Sequence, residues 1–173
     1  REHRIPLVTP FHNSMDMVQD NPYLFQVNPS YMAEYRHNAR YLARHYDENL
    51  VLVHSGDSAF EEQVNTYKRI LYRELNSYSA LEYVRLKEVV LDNGNPEALL
   101  HALRDDKTNL VILPSTDEAF ASRVASNLYF QRDKYDIVLF GSPYWAGFSN
   151  IEIEYFHGLQ VTMSHNHWYN FSN

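Results

Sequence analysis

The residues whose types and spacing can do chemistry fall into a few short groups. Gly56-Asp57-Ser58 follows closely on the apolar run Leu50 to Val53, where a strand giving way to a loop can present a serine nucleophile to a base. Such a serine needs a histidine as base and an acid to orient it. The nearest stretch is Glu154 to His157 (EYFH), and no clear asparagine–aspartate pair stands mid-chain to hold an oxyanion. Ser58 followed by Glu61 also has the S-x-x-E form of a capping box, and capping is the reading adopted. His165 and His167 lie two apart, sharing one face if extended, and imidazole pairs bind zinc. No acid or third histidine accompanies them, so a polar tail is expected and no metal. Asp105-Asp106 and Glu61-Glu62 are adjacent acids of solvated helix ends and lack the spacing of a catalytic carboxylate pair. Asn170-Phe171-Ser172 matches a glycosylation sequon, a three-residue pattern that chance supplies often. The chain has 5 glycines and no G-x-G-x-x-G or G-x-x-x-x-G-K, so no nucleotide or other cofactor is expected.

Elements that position these residues are legible as a recurring unit. Asn49 to Gln63 (NLVLVHSGDSAFEEQ) is an apolar run, a polar glycine-containing loop and a helix start. The apolar run suits a strand buried on both faces of a helix-covered parallel sheet. NLVILPSTDEAF (Asn109 to Phe120) repeats the unit, and DIVLFGSPYW (Asp136 to Trp145) repeats its strand and loop. Strands are predicted at Ile5 to Val8, Leu24 to Val27, Leu50 to Val53, Tyr83 to Leu91, Asn109 to Leu113 and Ile137 to Phe140. Helices are predicted from Ser30, which can cap with Glu34 in the first turn, from Ala59 to about Ser77, from Pro96 to Arg104 and from Asp117 to Gln131. Ile151 to Phe156 fits a strand or one to two helical turns, and Gln160 to Met163 reads as extended. Alternation of strand and helix predicts an α/β fold, three layers with a mostly parallel sheet. In such sheets ligands sit beyond the carboxyl ends of the strands, which makes the loops after three strands the informative residues. A flavodoxin- or receiver-like domain shares the alternation, but its phosphate loop or acidic cluster is missing.

At 173 residues the chain is one domain or a piece of one. A formal charge of −7 without a lysine/arginine cluster argues against a nucleic-acid surface. No apolar run approaches membrane-spanning length, and Arg1 opens mid-pattern with no signal-peptide signature, so a targeting segment is expected upstream or removed. Zero cysteines exclude disulfides and thiolate metal sites. The 14 tyrosines fit half-buried helix faces, apolar in body and wet at the tip.

The order of the pieces resembles the type I periplasmic binding protein-like family, the leucine/isoleucine/valine-binding proteins of ABC transporters. The residues that carry it are IPLVTP (Ile5 to Pro10), YLFQVNPS (Tyr23 to Ser30) before a helix, NLVLVHSGDSAF, DDKTNLVILPSTDEAF (Asp105 to Phe120), DIVLFGSPYW and the closing HGLQVT (His157 to Thr162). The resemblance implies two α/β lobes that clamp a ligand between them by hinge closure. Residues 1–27 then correspond to the end of the first lobe and a crossover, 28–162 to the second lobe, and 163–173 to a crossover or tail. It implies a binding surface from Phe11, His12 and Asn13 in the loop after IPLVTP, from Ser55, Asp57 and Phe60 after the first strand of the second lobe, and from Ser115 and Thr116 after the next. Tyr144 and Trp145 stand where the amino-acid binders place an acid for the ligand's ammonium. Such an aromatic wall in place of the acid suits a sugar-like, aromatic or peptidic ligand, or a site that has lost its ligand, in preference to a simple amino acid.

The expected function is therefore non-enzymatic solute binding or sensing in the periplasm or cell envelope, serving a membrane transporter or a cell-wall module, without membrane insertion. The runner-up is a cell-envelope structural or interaction domain with no small ligand. Gly56-Asp57-Ser58 also resembles the first block of GDSL-type esterases, which makes a hydrolase the third reading.

Overall fold

A computed structural model describes residues 5–9, 21–27, 31–45, 49–78, 86–91 and 96–164. Two short strands, β1 (Leu7–Thr9) and β2 (Leu24–Gln26), pair in parallel as a separate ribbon. Helix α1 (Tyr31–His45) follows, then β3 (Asn49–His54), α2 (Glu61–Tyr78), β4 (Leu86–Val90) and α3 (Glu97–Ala102). Next come β5 (Asn109–Leu113), α4 (Glu118–Tyr129), β6 (Ile137–Gly141), a 3-10 turn (Pro143–Gly147), α5 (Ile153–Gly158) and β7 (Thr162–Met163). The five later strands form one parallel sheet in the order β4-β3-β5-β6-β7.

The apolar runs are continuous because both faces of this sheet are covered. Side chains alternate across a strand. Val51, Val53, Val111, Leu113, Ile137 and Leu139 thus meet α3, α4 and α5 on one face. Leu50, Leu52, Leu110, Ile112, Val138 and Phe140 meet α1 and α2 on the other. Tyr35, Ala39 and Leu42 of α1 and Tyr67, Ile70, Leu71 and Leu75 of α2 supply the helical stripes of that second layer, at the spacing an amphipathic helix requires.

Register is fixed at the amino ends. Asn49 and Asn109 open β3 and β5, are aligned partners in the ladder, and are both buried. Asn49 Nδ2 donates to Asn109 Oδ1 at 2.8 Å and to the Ala102 carbonyl at 2.9 Å. Asn109 Oδ1 also accepts from Arg104 N–H, and its Nδ2 donates to the carbonyls of Arg104, Lys107 and Asp136. One side chain thereby satisfies the connection after α3 and the approaches to three neighbouring strands.

Several local expectations change. Ile151 to Phe156 resolves as helix from Ile153, because Tyr155 and Phe156 both turn toward the core layer of α4. Residues 143–147, expected as loop, form a 3-10 helix; Ser142 caps it, accepting from Tyr144 N–H. Helix α2 starts at Glu61 after a turn, and the acceptor at that turn is Asp57 Oδ1, receiving Ala59 N–H at 2.9 Å, in place of the expected Ser58 cap. Of the predicted strand Tyr83 to Leu91, residues 83–85 lie outside the described residues, as do Ser30, His165, His167 and the sequon at Asn170.

At the β4 edge, Lys68 Nζ of α2 donates to both oxygens of Glu88 at 2.8 Å, and His54 Nε2 lies 3.1 Å from one of them. The Lys68 hydrogen bond, then that of His54, holds the Glu88 carboxyl below the ordinary carboxylate range, against burial. A carboxyl lowered in the folded state stabilises at neutral pH and loses that contribution as pH falls through the range below its unfolded value. With a third of the Glu88 side chain exposed, screening limits the pair to about 1 kcal/mol or less.

Two outcomes are expected in urea denaturation. Asn109→Ala strands several buried N–H and carbonyl groups and lowers stability by about 3 kcal/mol. Lys68→Met costs at most about 1 kcal/mol at pH 7, and the cost shrinks as pH falls below the ordinary carboxylate range and Glu88 takes up its proton.

Candidate functional site

The strand order reverses at β3: the chain steps outward to β4, then returns across β3 to β5 and onward. The crevice outside the carboxyl ends of β3 and β5 is the topological switch point, where open α/β sheets take their ligands. Two loops of one design meet there. Ser55-Gly56-Asp57-Ser58-Ala59-Phe60 and Ser115-Thr116-Asp117-Glu118-Ala119-Phe120 are sixty residues apart and share the pattern S-x-D-x-A-F. In each, the serine Oγ accepts the aspartate N–H, at 3.3 Å for Ser55 and 3.1 Å for Ser115. In each, the aspartate Oδ1 accepts the alanine N–H two residues on, at 2.9 Å. These turns use both aspartates locally, so Asp57 serves the start of α2. Gly56 takes φ +72°, a conformation that favours glycine, and a Cβ there would also lie 2.7 Å from Val90 Cγ1.

Ser55, Phe60, Ser115 and Thr116 come together as walls of one cleft of about 20 Å³, with His54, Gln63, Val64 and Pro114 completing it. Among the described residues no aspartate, glutamate, lysine or arginine lines it. Hydroxyls, one amide, an imidazole and a phenyl ring give it neutral polar and aromatic chemistry. Gly56 N–H donates to His54 Nδ1 at 3.3 Å, which places the ring hydrogen on Nε2, toward Glu88. Gln63 Nε2 donates to the Tyr35 hydroxyl, tying the start of α2 to α1.

A second, smaller cleft of about 10 Å³ lies beside the first and shares Pro114. Its polar walls are Glu34 and Asn38 of α1 and Ser142 after β6. All three are buried. Asn38 Nδ2 donates to Ser164 Oγ at 3.2 Å, and Ser164 Oγ donates to Glu34 Oε1 at 3.4 Å. Burial raises the Glu34 carboxyl above its ordinary range, and the Ser164 hydrogen bond only partly offsets that. Burial likewise pushes the Tyr67 phenol well up, with Tyr35 and Glu34 adding to the effect.

Trp145 lies under the loops, 1% exposed. Its Nε1 donates to the Ser115 carbonyl at 2.9 Å, and a Cβ at residue 141 would stand 2.6 Å from its ring, so Gly141 makes room for it. Its contribution to the cleft is the position of Ser115. Tyr144 is half exposed on the 3-10 turn beside Pro143. Phe11, His12 and Asn13 lie outside the described residues.

Sequence reasoning missed His54, Gln63 and Pro114, and used Glu34 only as a first-turn acid. Gln63 had a signal: it follows Phe60 by three and so shares its helical face. Glu34 and Asn38 are likewise four apart on α1, but nothing local says that this face turns inward. Ser58 and His157 are on different layers, since the helix of His157 packs in the core opposite α2, so no triad assembles from Ser58, Glu154 and His157. Among the described residues no group of three metal-ligating side chains occurs, and no helix is long and apolar enough to cross a membrane.

No protein-family model matches the sequence, and no curated protein matches it. Solved structures do. The branched-chain amino acid transporter substrate-binding protein LivJ of Streptococcus pneumoniae, in complex with isoleucine, superposes with a TM-score of 0.52 at 13% identity over 94% of this chain and 44% of its own. Two ABC-transporter solute-binding proteins of Rhodopseudomonas palustris also match over 82% of this chain and 38% of theirs. That of strain BisB5, with 3,4-dihydroxybenzoic acid, has a TM-score of 0.45 at 13% identity; that of strain HaA2, with p-hydroxybenzoic acid, 0.49 at 12%. The chain spans less than half the length of each of these proteins. Its five-stranded parallel sheet, covered on both faces and likened to LivJ over nearly the whole chain, is the fold of one lobe of a type I periplasmic binding protein.

Proposed function

We propose that this chain is the second lobe of an exported solute-binding protein, and that its ligand is gripped against the carboxyl ends of β3 and β5 when a facing lobe closes. The carrying observation is the switch-point cleft: two loops of the same S-x-D-x-A-F design, with their serine hydroxyls, Phe60 and Gln63 converging on one small cavity. Paired hydroxyls and an amide suit the polar groups of a small solute, and the phenyl ring suits its apolar body. The cleft is shallow because a clamp divides its contacts between two lobes, so this lobe alone binds weakly. The role is binding for a membrane transporter or envelope module, in the periplasm or at the cell envelope, and no reaction is assigned to it.

The ribbon of β1 and β2 supports a second reading, a cell-envelope interaction domain without a small ligand. It leaves Ile5, Leu7, Val8, Phe25 and Val27 more than half exposed, an apolar surface that suits further polypeptide. On the first reading this ribbon belongs to the end of the first lobe.

Titrating the 15N-labelled chain with amino acids, sugars and hydroxylated aromatic acids at millimolar concentration separates the two. The clamp reading expects one class to shift amide resonances confined to residues 54–64, Ser115 and Thr116. Gln63→Ala should weaken that response about tenfold, as loss of one well-made polar contact does. Absence of a localised response to every class would overturn the clamp and leave the interaction domain.

A further inference from the structure

We propose that Glu118 is a positioning residue of the switch-point cleft: its carboxylate clips the segment after the 3-10 turn onto the loop between β5 and α4 and, through Trp145, fixes where Ser115 stands. This deepens the clamp reading and rests on it for the solute; the positioning itself needs none.

The two S-x-D-x-A-F loops differ at one telling place. The residue after the aspartate is Ser58 in the first and Glu118 in the second. Asp57 and Asp117 make the local turn in both, each accepting the alanine N–H at 2.9 Å. The turn therefore forms without a carboxylate at that place, and the Glu118 side chain serves a distant segment instead. Its Oε1 accepts the N–H of Ser149 at 2.5 Å and that of Asn150 at 2.6 Å, 31 and 32 positions along the chain. Two successive N–H groups on one charged oxygen are charge-assisted hydrogen bonds, the strong kind. One turn further along α4, Ser122 Oγ donates to the Asn150 carbonyl at 3.2 Å, so the clip is double.

The clipped segment leads back to the cleft. Phe148, next to Ser149, stacks on Trp145 with ring centroids 6.3 Å apart, and its N–H donates to the Trp145 carbonyl at 3.0 Å. Trp145 Nε1 in turn donates to the Ser115 carbonyl. Ser115 and Glu118 belong to one loop and helix start, so these contacts close a ring between the end of β5 and the segment after β6. A close-packed indole transmits a displacement because no void surrounds it. Opening the ring at Glu118 frees the segment behind the 3-10 turn, and the Ser115 carbonyl moves with Trp145.

The Asn150 hydrogen bond, then that of Ser149, holds the Glu118 carboxyl below its ordinary range, against burial. The charged groups on the surrounding elements are Asp117 and Arg123 of α4 and Glu152 and Glu154 at the start of α5. Among the described residues none of them forms an ion pair with Glu118. The clip is thus intact at neutral pH and is lost as pH falls through a range below that of an ordinary carboxylate.

The test is 15N NMR of the full chain and of Glu118→Ala and Glu118→Gln. In Glu118→Ala the Trp145 indole N–H and the Ser115 amide are expected to shift, while Asp57 and Ala59 of the first loop stay in place. Exchange of the Ser149 and Asn150 amides with water should quicken about tenfold, as loss of a good hydrogen bond allows. Glu118→Gln keeps an acceptor oxygen and should return Trp145 and Ser115 toward their wild-type positions. Unmoved Trp145 and Ser115 resonances in Glu118→Ala, or no return in Glu118→Gln, would overturn the proposal. If Glu118→Ala does not fold, an acid titration decides: the Trp145 indole N–H follows a carboxyl step in the wild type that Glu118→Gln lacks, and a flat response in the wild type overturns the idea. Any solute that answers in the titration above should bind Glu118→Ala several-fold more weakly, and equal binding would also count against it. Coupling of Trp145 to Glu118 with no response to any solute would remove the clamp and leave the positioning role standing.

Discussion

The contact between Asn49 and Asn109 is the constraint on which the rest of this sheet depends. It stands at the first rung of the ladder between β3 and β5, where both side chains are buried and hydrogen-bonded to each other and to the connections around them. Slipping one strand by a residue would bury its partner's polar groups unsatisfied and turn every apolar side chain to the wrong layer. The sixty-residue repeat then makes the geometry exact at the other end. In each case the serine follows the asparagine by six positions, so Ser55 and Ser115 leave the sheet at the same height. An amino-end hydrogen bond thereby sets the level of two carboxyl-end loops.

Those loops divide their polar groups between structure and surface. Asp117 is spent on the first N–H groups of α4 and Asp57 on the turn that leads into α2, and both serine oxygens accept from the backbone. The fates of the two phenylalanines differ. Phe120 enters the core layer of α3, α4 and α5, whereas Phe60, at the same place in the motif, stays half-buried at the cleft. The two helices leave on opposite faces of the sheet, and only α2 passes the mouth of the switch point. Trp145 supports the arrangement from below, holding the Ser115 carbonyl while filling the space left by Gly141.

Two kinds of electrostatics lie side by side. Among the described residues no carboxylate, lysine or arginine lines the switch-point cleft, and the Lys68–Glu88 ion pair lies beyond His54. The adjoining cleft holds a carboxylate whose ionisation burial opposes.

The sequence by itself determined the layers. Continuous apolar runs at Leu50 to Val53, Asn109 to Leu113 and Ile137 to Phe140 can be accommodated only where both faces are covered, and their alternation with helical stripes leaves little but a parallel three-layer sheet. It also determined which loops converge, since the parallel strands of one sheet end on the same side; Ser55, Phe60, Ser115 and Thr116 were legible for that reason. Only the tertiary structure decided which way each side chain turns. The ring of Trp145 is as aromatic in the sequence as that of Tyr144, yet one is core and the other half exposed, because β6 carries a glycine where the indole must lie. Glu34 reads locally as an ordinary first-turn acid on α1. It is buried because α1 packs against α2 beside the ends of β5 and β6, a long-range contact with no trace in its neighbouring residues.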